Sequence, residues 1–233
     1  MAHRRALAAT ALAANFRACS GAKIADVTNT QLSALTSSTS YVTISVGGND
    51  AGFADVLTTC AQPAWLSNCT AAVDRAQAYI RNTLPGALTT LYGQIRSRAP
   101  QAKVTVVGYT RIFNGTDCNA LTWFSSTEMS RLNATADLIN STTSARAGAA
   151  GFSFANPTSR FVGHAVCGSP ERQRPYAAAD RTIRPEVVRA PDLTTPQARA
   201  AAARAGVDLS SRASIDAADR RYAAREAAAF LAR

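Results

Sequence analysis

Two apolar runs rich in β-branched residues stand out along the chain. Tyr41 to Val46 reads YVTISV and leads directly into Gly47-Gly48-Asn49-Asp50; Lys103 to Tyr109 reads KVTVVGY. Each is short, apolar and closed by a turn signal, so each predicts a buried strand that empties into a loop. Phe152 to Ala155 predicts a third, shorter strand, and Asn15 to Cys19 another. Helices are expected over Ile24 to Leu35, Phe53 to Cys60, Thr70 to Ser97 with a break at Pro85-Gly86, and Ser126 to Ala150. Residues 5–14 also read as helix, Ser20-Gly21-Ala22 as a turn and Pro63 to Cys69 as a loop.

Strands alternating with helices of this length indicate an α/β fold: a three-layer α/β/α sandwich with a parallel sheet and crossover connections. Ligands in such sheets bind beyond the carboxyl ends of the strands. The turn at 47–50 and the loops after 109 and 155 are therefore expected along one edge. After about residue 171 the pattern changes. Residues 172–233 are rich in Ala and Arg and carry no strand signal, with helices expected at Thr195 to Ala205 and Ser214 to Leu231. Two parts follow: residues 1–171 as the α/β domain and 172–233 as an appended, solvated helical tail.

Composition narrows the function. The 233 residues are 47% hydrophobic, enough to bury a sizeable core. The formal net charge of +10 comes almost wholly from arginine, and half of it lies in the tail. The arginines are scattered, with no basic 5–8-mer and no nucleic-acid-binding signature, so nucleic acid is not the expected partner. No apolar run reaches the ~18 residues of a membrane span. The five cysteines form no CxxC pair, and His3 and His164 lack zinc-ligand spacing, so no metal is expected. A disulfide framework in an oxidising compartment is the better reading, with one thiol left over. The N-terminal MAHRRALAATALAAN has a basic start and an Ala/Leu stretch, but that stretch is a weak signal-peptide core, and a surface helix is the preferred reading.

Two turns carry candidate chemistry. In Gly47-Gly48-Asn49-Asp50-Ala51-Gly52, glycine lets backbone come close to a ligand, the asparagine amide is a neutral donor suited to a developing oxyanion, and Asp50 can cap the next helix. In Ala18-Cys19-Ser20-Gly21-Ala22, the Gly21 N–H is a second such donor. Either segment alone reads equally well as an ordinary tight turn; together, flanking a helix and a strand, they are more specific.

The combination of RACSGAKIADV, YVTISVGGNDAGF, KVTVVGY, RLNATADLIN and FANPTSRFVGHAVCGSPE resembles the secreted actinobacterial SGNH (GDSL-type) hydrolases, a lipase/esterase family, over roughly residues 5–171. The resemblance implies hydrolysis of carboxylic esters of lipids or small acyl groups through an acyl-serine, with Gly21 and Asn49 as oxyanion donors. It also implies an extracellular protein with an ester or lipid substrate, no cofactor and a monomeric state. The family's disulfides would join Cys60 to Cys69 and Cys118 to Cys167, the second closing a loop worth on the order of 4 kcal/mol. Cys19 would stay free.

The sequence departs from the family in two blocks. No Gly-Asp-Ser turn occurs to present a nucleophile, no strand is expected before residue 15, and no histidine follows His164. His164 aligns with a family histidine that is not catalytic. Ser20, Ser45 and Ser125 are nucleophiles only in principle, because a serine without a base is weakly reactive. The catalytic serine and histidine are therefore unassigned, and little activity is expected of this chain. Two other readings remain: a non-catalytic lipid- or ester-binding remnant, and a basic interaction protein acting through its Arg-rich tail.

Overall fold

The structure, a computed structural model, describes residues 14–116, 122–166 and 191–232. Three strands form a parallel sheet in the order β1 (Tyr41–Ile44), β2 (Lys103–Val107), β3 (Ser153–Ala155). Tyr41 pairs with Lys103 and Ile44 with Val106; Thr105 pairs with Ser153 and Val107 with Ala155. The expected strands are thus present but shorter. Phe152 is excluded from β3 because its N–H bonds the Ala147 carbonyl at 2.9 Å, while Gly151 N–H bonds Gly148, closing the preceding helix. Asn15 to Cys19 is not a strand: the segment is exposed and forms no sheet pairing.

Helix α1 (Ile24–Asp26) is a single α-turn that widens into a π-turn at Val27–Gln31 and tightens into a 3₁₀ turn at Leu32–Ala34. The uniform helix expected there fails at VTNTQ. Thr30 Oγ1 donates to the Asp26 carbonyl at 2.6 Å, competing with the backbone ladder. Helix α2 (Phe53–Cys60) has the expected bounds. The long helix over Thr70 to Ser97 is two helices, α3 (Cys69–Asn82) and α4 (Leu84–Arg98), parted at Thr83 rather than at Pro85-Gly86. Pro85 is tolerated in the first turn of α4, where its missing N–H has no intrahelical partner to lose. Helix α5 (Ser126–Ala149) opens with a capping box between Ser125 and Glu128.

The central core joins Ile80, Leu84, Leu88, Leu91, Tyr92 and Ile95 to Val104, Val106, Ile139 and Phe152. Helices α6 (Pro196–Ala205) and α7 (Arg212–Leu231) form the C-terminal part. They are helical as expected but not a solvated tail. Trp65, Ala201, Ala202, Ile215 and Ala218 make a third cluster, with Trp123 and Tyr222 packed against it. Asp219 accepts the Ala64 N–H at 2.8 Å, and Asp216 accepts the Trp123 indole N–H at 3.0 Å. Alanine-rich faces bury little area per residue, so their apolar stripe barely registers as a periodicity; the two tryptophans supply the missing surface.

Candidate functional site

The loops leaving the three strands meet at the carboxyl edge of the sheet. Around the first, Ala51 N–H bonds the Gly47 carbonyl and Phe53 N–H the Gly48 carbonyl, folding GGND into a compact turn. Tyr109, just beyond β2, supports it: its hydroxyl accepts the Gly48 N–H at 3.0 Å and also shares a hydrogen bond with Ser45. Gly48 suits the close approach, since a Cβ would stand 3.1 Å from the Tyr109 ring and force it to shift by a few tenths of an ångström. Burial pushes the Tyr109 phenol above its ordinary value despite the two hydrogen bonds, so it stays protonated at neutral pH.

Tyr109 is itself clamped from α5. Its N–H donates to Asn140 Oδ1 and its carbonyl accepts from Asn140 Nδ2, both at 2.8 Å. The approach is so close that a Cβ on Gly108 would lie 2.5 Å from Asn140 Oδ1. About two helical turns away, Asn133 treats the next stretch of loop alike, accepting from Ile112 and Phe113 N–H and donating to the Phe113 carbonyl at 2.9 Å. The third loop is tied in at both ends. Thr158 Oγ1 lies 3.4 Å from the Tyr109 carbonyl, and Val166 N–H donates to the Ile112 carbonyl at 2.7 Å.

Gly21 and Asn49 belong to this edge. Asn49 Nδ2 donates to the Ala22 carbonyl at 3.0 Å, and both Asp50 carboxylate oxygens sit 3.1 Å from the Ile24 N–H. Asp50 therefore caps the helix of the other turn, not the one following it. An asparagine amide carries two hydrogens, so the Ala22 contact orients the side chain and leaves a second donor. Gly21 is exposed, has φ +79°, and no atom within 4 Å of where a Cβ would be.

The remaining candidates sit in separate segments. Ser20 is exposed beside Gly21, whereas Ser125 caps α5, with its hydroxyl 2.8 Å from Glu128 Oε2. His164 is half-buried in the third loop, and its N–H donates to the Phe161 carbonyl at 2.9 Å. Cys60 and Cys69 are joined by a disulfide with a Cα separation of 4.6 Å, and Cys19 is a free, exposed thiol. Cys118 and Cys167 lie outside the described residues, as do His3 and residues 5–13 of the first expected helix. Asn133 and Asn140 lie in the RLNATADLIN segment that carries the family resemblance, but nothing in the sequence marked them as loop clamps.

Residues 2–188 match the model of the GDSL-like lipase/acylhydrolase family. The chain belongs to this family. It is 44% identical over 158 residues to Lipase 1 of Streptomyces coelicolor and 45% identical over 158 residues to a lipase of Streptomyces rimosus, in each case across 67% of this chain. It spans 58% of the length of each of these lipases. Among solved structures, it superposes on phospholipase A1 from Streptomyces albidoflavus with a TM-score of 0.61 at 42% identity, covering 66% of this chain and 64% of that one. The extracellular lipase from Streptomyces rimosus gives a TM-score of 0.63 at 42% identity, covering 70% of each. These neighbours share the parallel α/β architecture expected from the strand pattern.

Proposed function

We propose that the carboxyl edge of this sheet is an ester site, whose Asn49 amide and Gly21 N–H bind the oxygen of a carboxylic ester of a lipid or small acyl group. The observation that carries this is the pairing of the two turns: the Asn49 side chain is held by Ala22, next to Gly21, while Asp50 ties the same segments together. Donors fixed before the substrate arrives need no reorganisation as charge develops on the oxyanion. The relatives are lipases and a phospholipase A1, which fits this substrate class. In the intact reaction a serine attacks the carbonyl, a histidine moves the proton, and water releases the acyl-serine.

The sequence supplies no Gly-Asp-Ser turn and no histidine after His164, so this chain by itself binds the ester and turns it over slowly. It works in an oxidising, extracellular setting, as its disulfide and its relatives suggest. Hydrolysis of p-nitrophenyl butyrate tests the reading. Purified protein is expected to be no faster than its Asn49→Ala variant, while that variant loses affinity for an uncleaved acyl phosphonate. A clear rate that drops about 10²-fold in the variant, the cost of losing one oxyanion donor, would reveal a nucleophile in the chain. Unchanged phosphonate binding would remove Asn49 from the site.

A further inference from the structure

The loop after β3 ends in an exposed apolar tip. It is anchored at Thr158 and at Val166, and between them His164 N–H bonds the Phe161 carbonyl in a tight turn. That turn pushes Val162 outward: its side chain is 73% exposed, and Val166 is 47% exposed. Arg160, exposed, immediately precedes the half-buried Phe161 and Val162. A similar pair, Phe16 at 48% exposure and the exposed Arg17, leads into the Gly21 turn on the same edge. Single exposed apolar residues need no explanation. Here, however, the exposed tip sets a basic residue beside its apolar ones in a chain of net charge +10, and the Phe16-Arg17 step repeats that pairing just ahead of the Gly21 turn.

We propose that the Arg160–Val162 tip, helped by Phe16 and Arg17, is a lipid-surface contact that seats the carboxyl edge of the sheet on an anionic bilayer. Val162 enters the headgroup boundary, with the half-buried Phe161 beneath it, and the arginines pair with lipid phosphates. An apolar tip alone would bind weakly; basic residues beside it add attraction to negative lipid, the combination used by peripheral anchors. The contact rests on the ester-site reading only for what it delivers, since docking needs no turnover.

Vesicle sedimentation of the full chain tests it, with phosphatidylglycerol/phosphatidylcholine vesicles against phosphatidylcholine alone. Binding is expected to the mixed vesicles, falling as salt rises. Val162→Asp should weaken it about tenfold, as expected for losing one buried aliphatic side chain. Arg160→Gln should weaken it about fivefold. Leu231→Asp, a substitution at an exposed apolar residue near the end of α7, should leave it within about twofold. All three surface changes can be checked for unaltered thermal unfolding. No binding to mixed vesicles, or equal binding by the Val162→Asp and wild-type proteins, would overturn the proposal; the second result would assign binding to diffuse charge. p-Nitrophenyl butyrate, soluble and free of any vesicle, keeps the two readings separable. Vesicle binding without an Asn49-dependent ester site leaves the lipid contact standing, and the reverse leaves the site standing.

Discussion

The central core and the seat of the C-terminal helices solve burial in opposite ways. The core is almost wholly apolar: Leu84, Leu88, Leu91, Tyr92, Ile95 and Val106 are almost fully buried and enclose the Tyr92 hydroxyl but no charged side chain. The C-terminal seat is built from alanines and two tryptophans threaded with ions. Asp216 receives both the Arg212 guanidinium, at 2.8 Å, and the Trp123 indole N–H, with that guanidinium stacked 4.6 Å over the Trp123 ring. Arg131, only 7% exposed, reaches Asp74 of α3 at 2.5 Å and stacks 4.4 Å from the Phe230 ring of α7. Glu226, which feels the Arg131 charge, and Glu128 and Asp219 are all raised above ordinary carboxyl values chiefly by burial. An apolar core is indifferent to pH and salt, whereas a seat made of small residues and buried carboxylates is not.

The largest effect should come from the core. Leu88→Ala is expected to cost about 3–4 kcal/mol, as buried leucine truncations do, and denaturant unfolding followed by circular dichroism would show the whole α/β body losing stability. The seat should respond to pH instead. Burial, reinforced by Glu226 and Asp219 and opposed by the Ser125 hydrogen bonds, raises Glu128 from 4.5 to about 7. A group that binds its proton more tightly when folded stabilises fully below its unfolded value. That contribution fades as pH rises through the folded one, on the order of 3 kcal/mol in all. Facing Glu128 are Ser125 at the cap of α5, Asp219 and Glu226 from α7, and, through Glu226, Arg131 of α5 and Thr70 of α3. Limited proteolysis should therefore find α6 and α7 better protected at pH 5 than at pH 8, and Glu128→Gln should flatten the difference. Equal protection at both pH values would deny the contrast with the core.

The Cys60–Cys69 bridge sharpens the same comparison, because it closes the loop that carries Ala64 and Trp65 into the seat. Replacing both cysteines with serine should cost about 2–3 kcal/mol on loop-entropy grounds, with protease sensitivity rising first in α7. The smallest effect belongs to Arg111–Asp137, an exposed pair with its shortest contact at 2.6 Å. Arg111→Ala should shift stability by less than about 0.5 kcal/mol, and less still in high salt.

The core was the legible part of the sequence. YVTISV and KVTVV declare strands through β-branched runs, and GGND and ACSGA mark the turns that meet at Asn49 and Ala22. The irregular helix at 24–34 was hidden because a threonine hydroxyl rivals the backbone for the Asp26 carbonyl, a local competition that apolar spacing does not register. The seat was hidden because alanines yield a weak stripe, and because Trp65 and Trp123 come from loops far from the helices they cover. The clamps by Asn133 and Asn140 escaped for a related reason. A polar residue on a helix's inward face reads as a flaw in the pattern until the loop it holds is known.

The pairing of the sheet also imposes an order of events on the newborn chain. Tyr41 finds Lys103, and Thr105 finds Ser153, only across long intervening stretches, so neither strand pair can form as a local hairpin. Closing such loops costs entropy before any contact rewards it. Helices α3, α4 and α5 must first shorten those stretches, presenting their apolar faces as a surface on which the strands can align. Folding should then be slow for the chain's size, paced by long-range registry rather than by helix formation, and the bare strands would remain open to wrong partners until β2 is sandwiched between its neighbours.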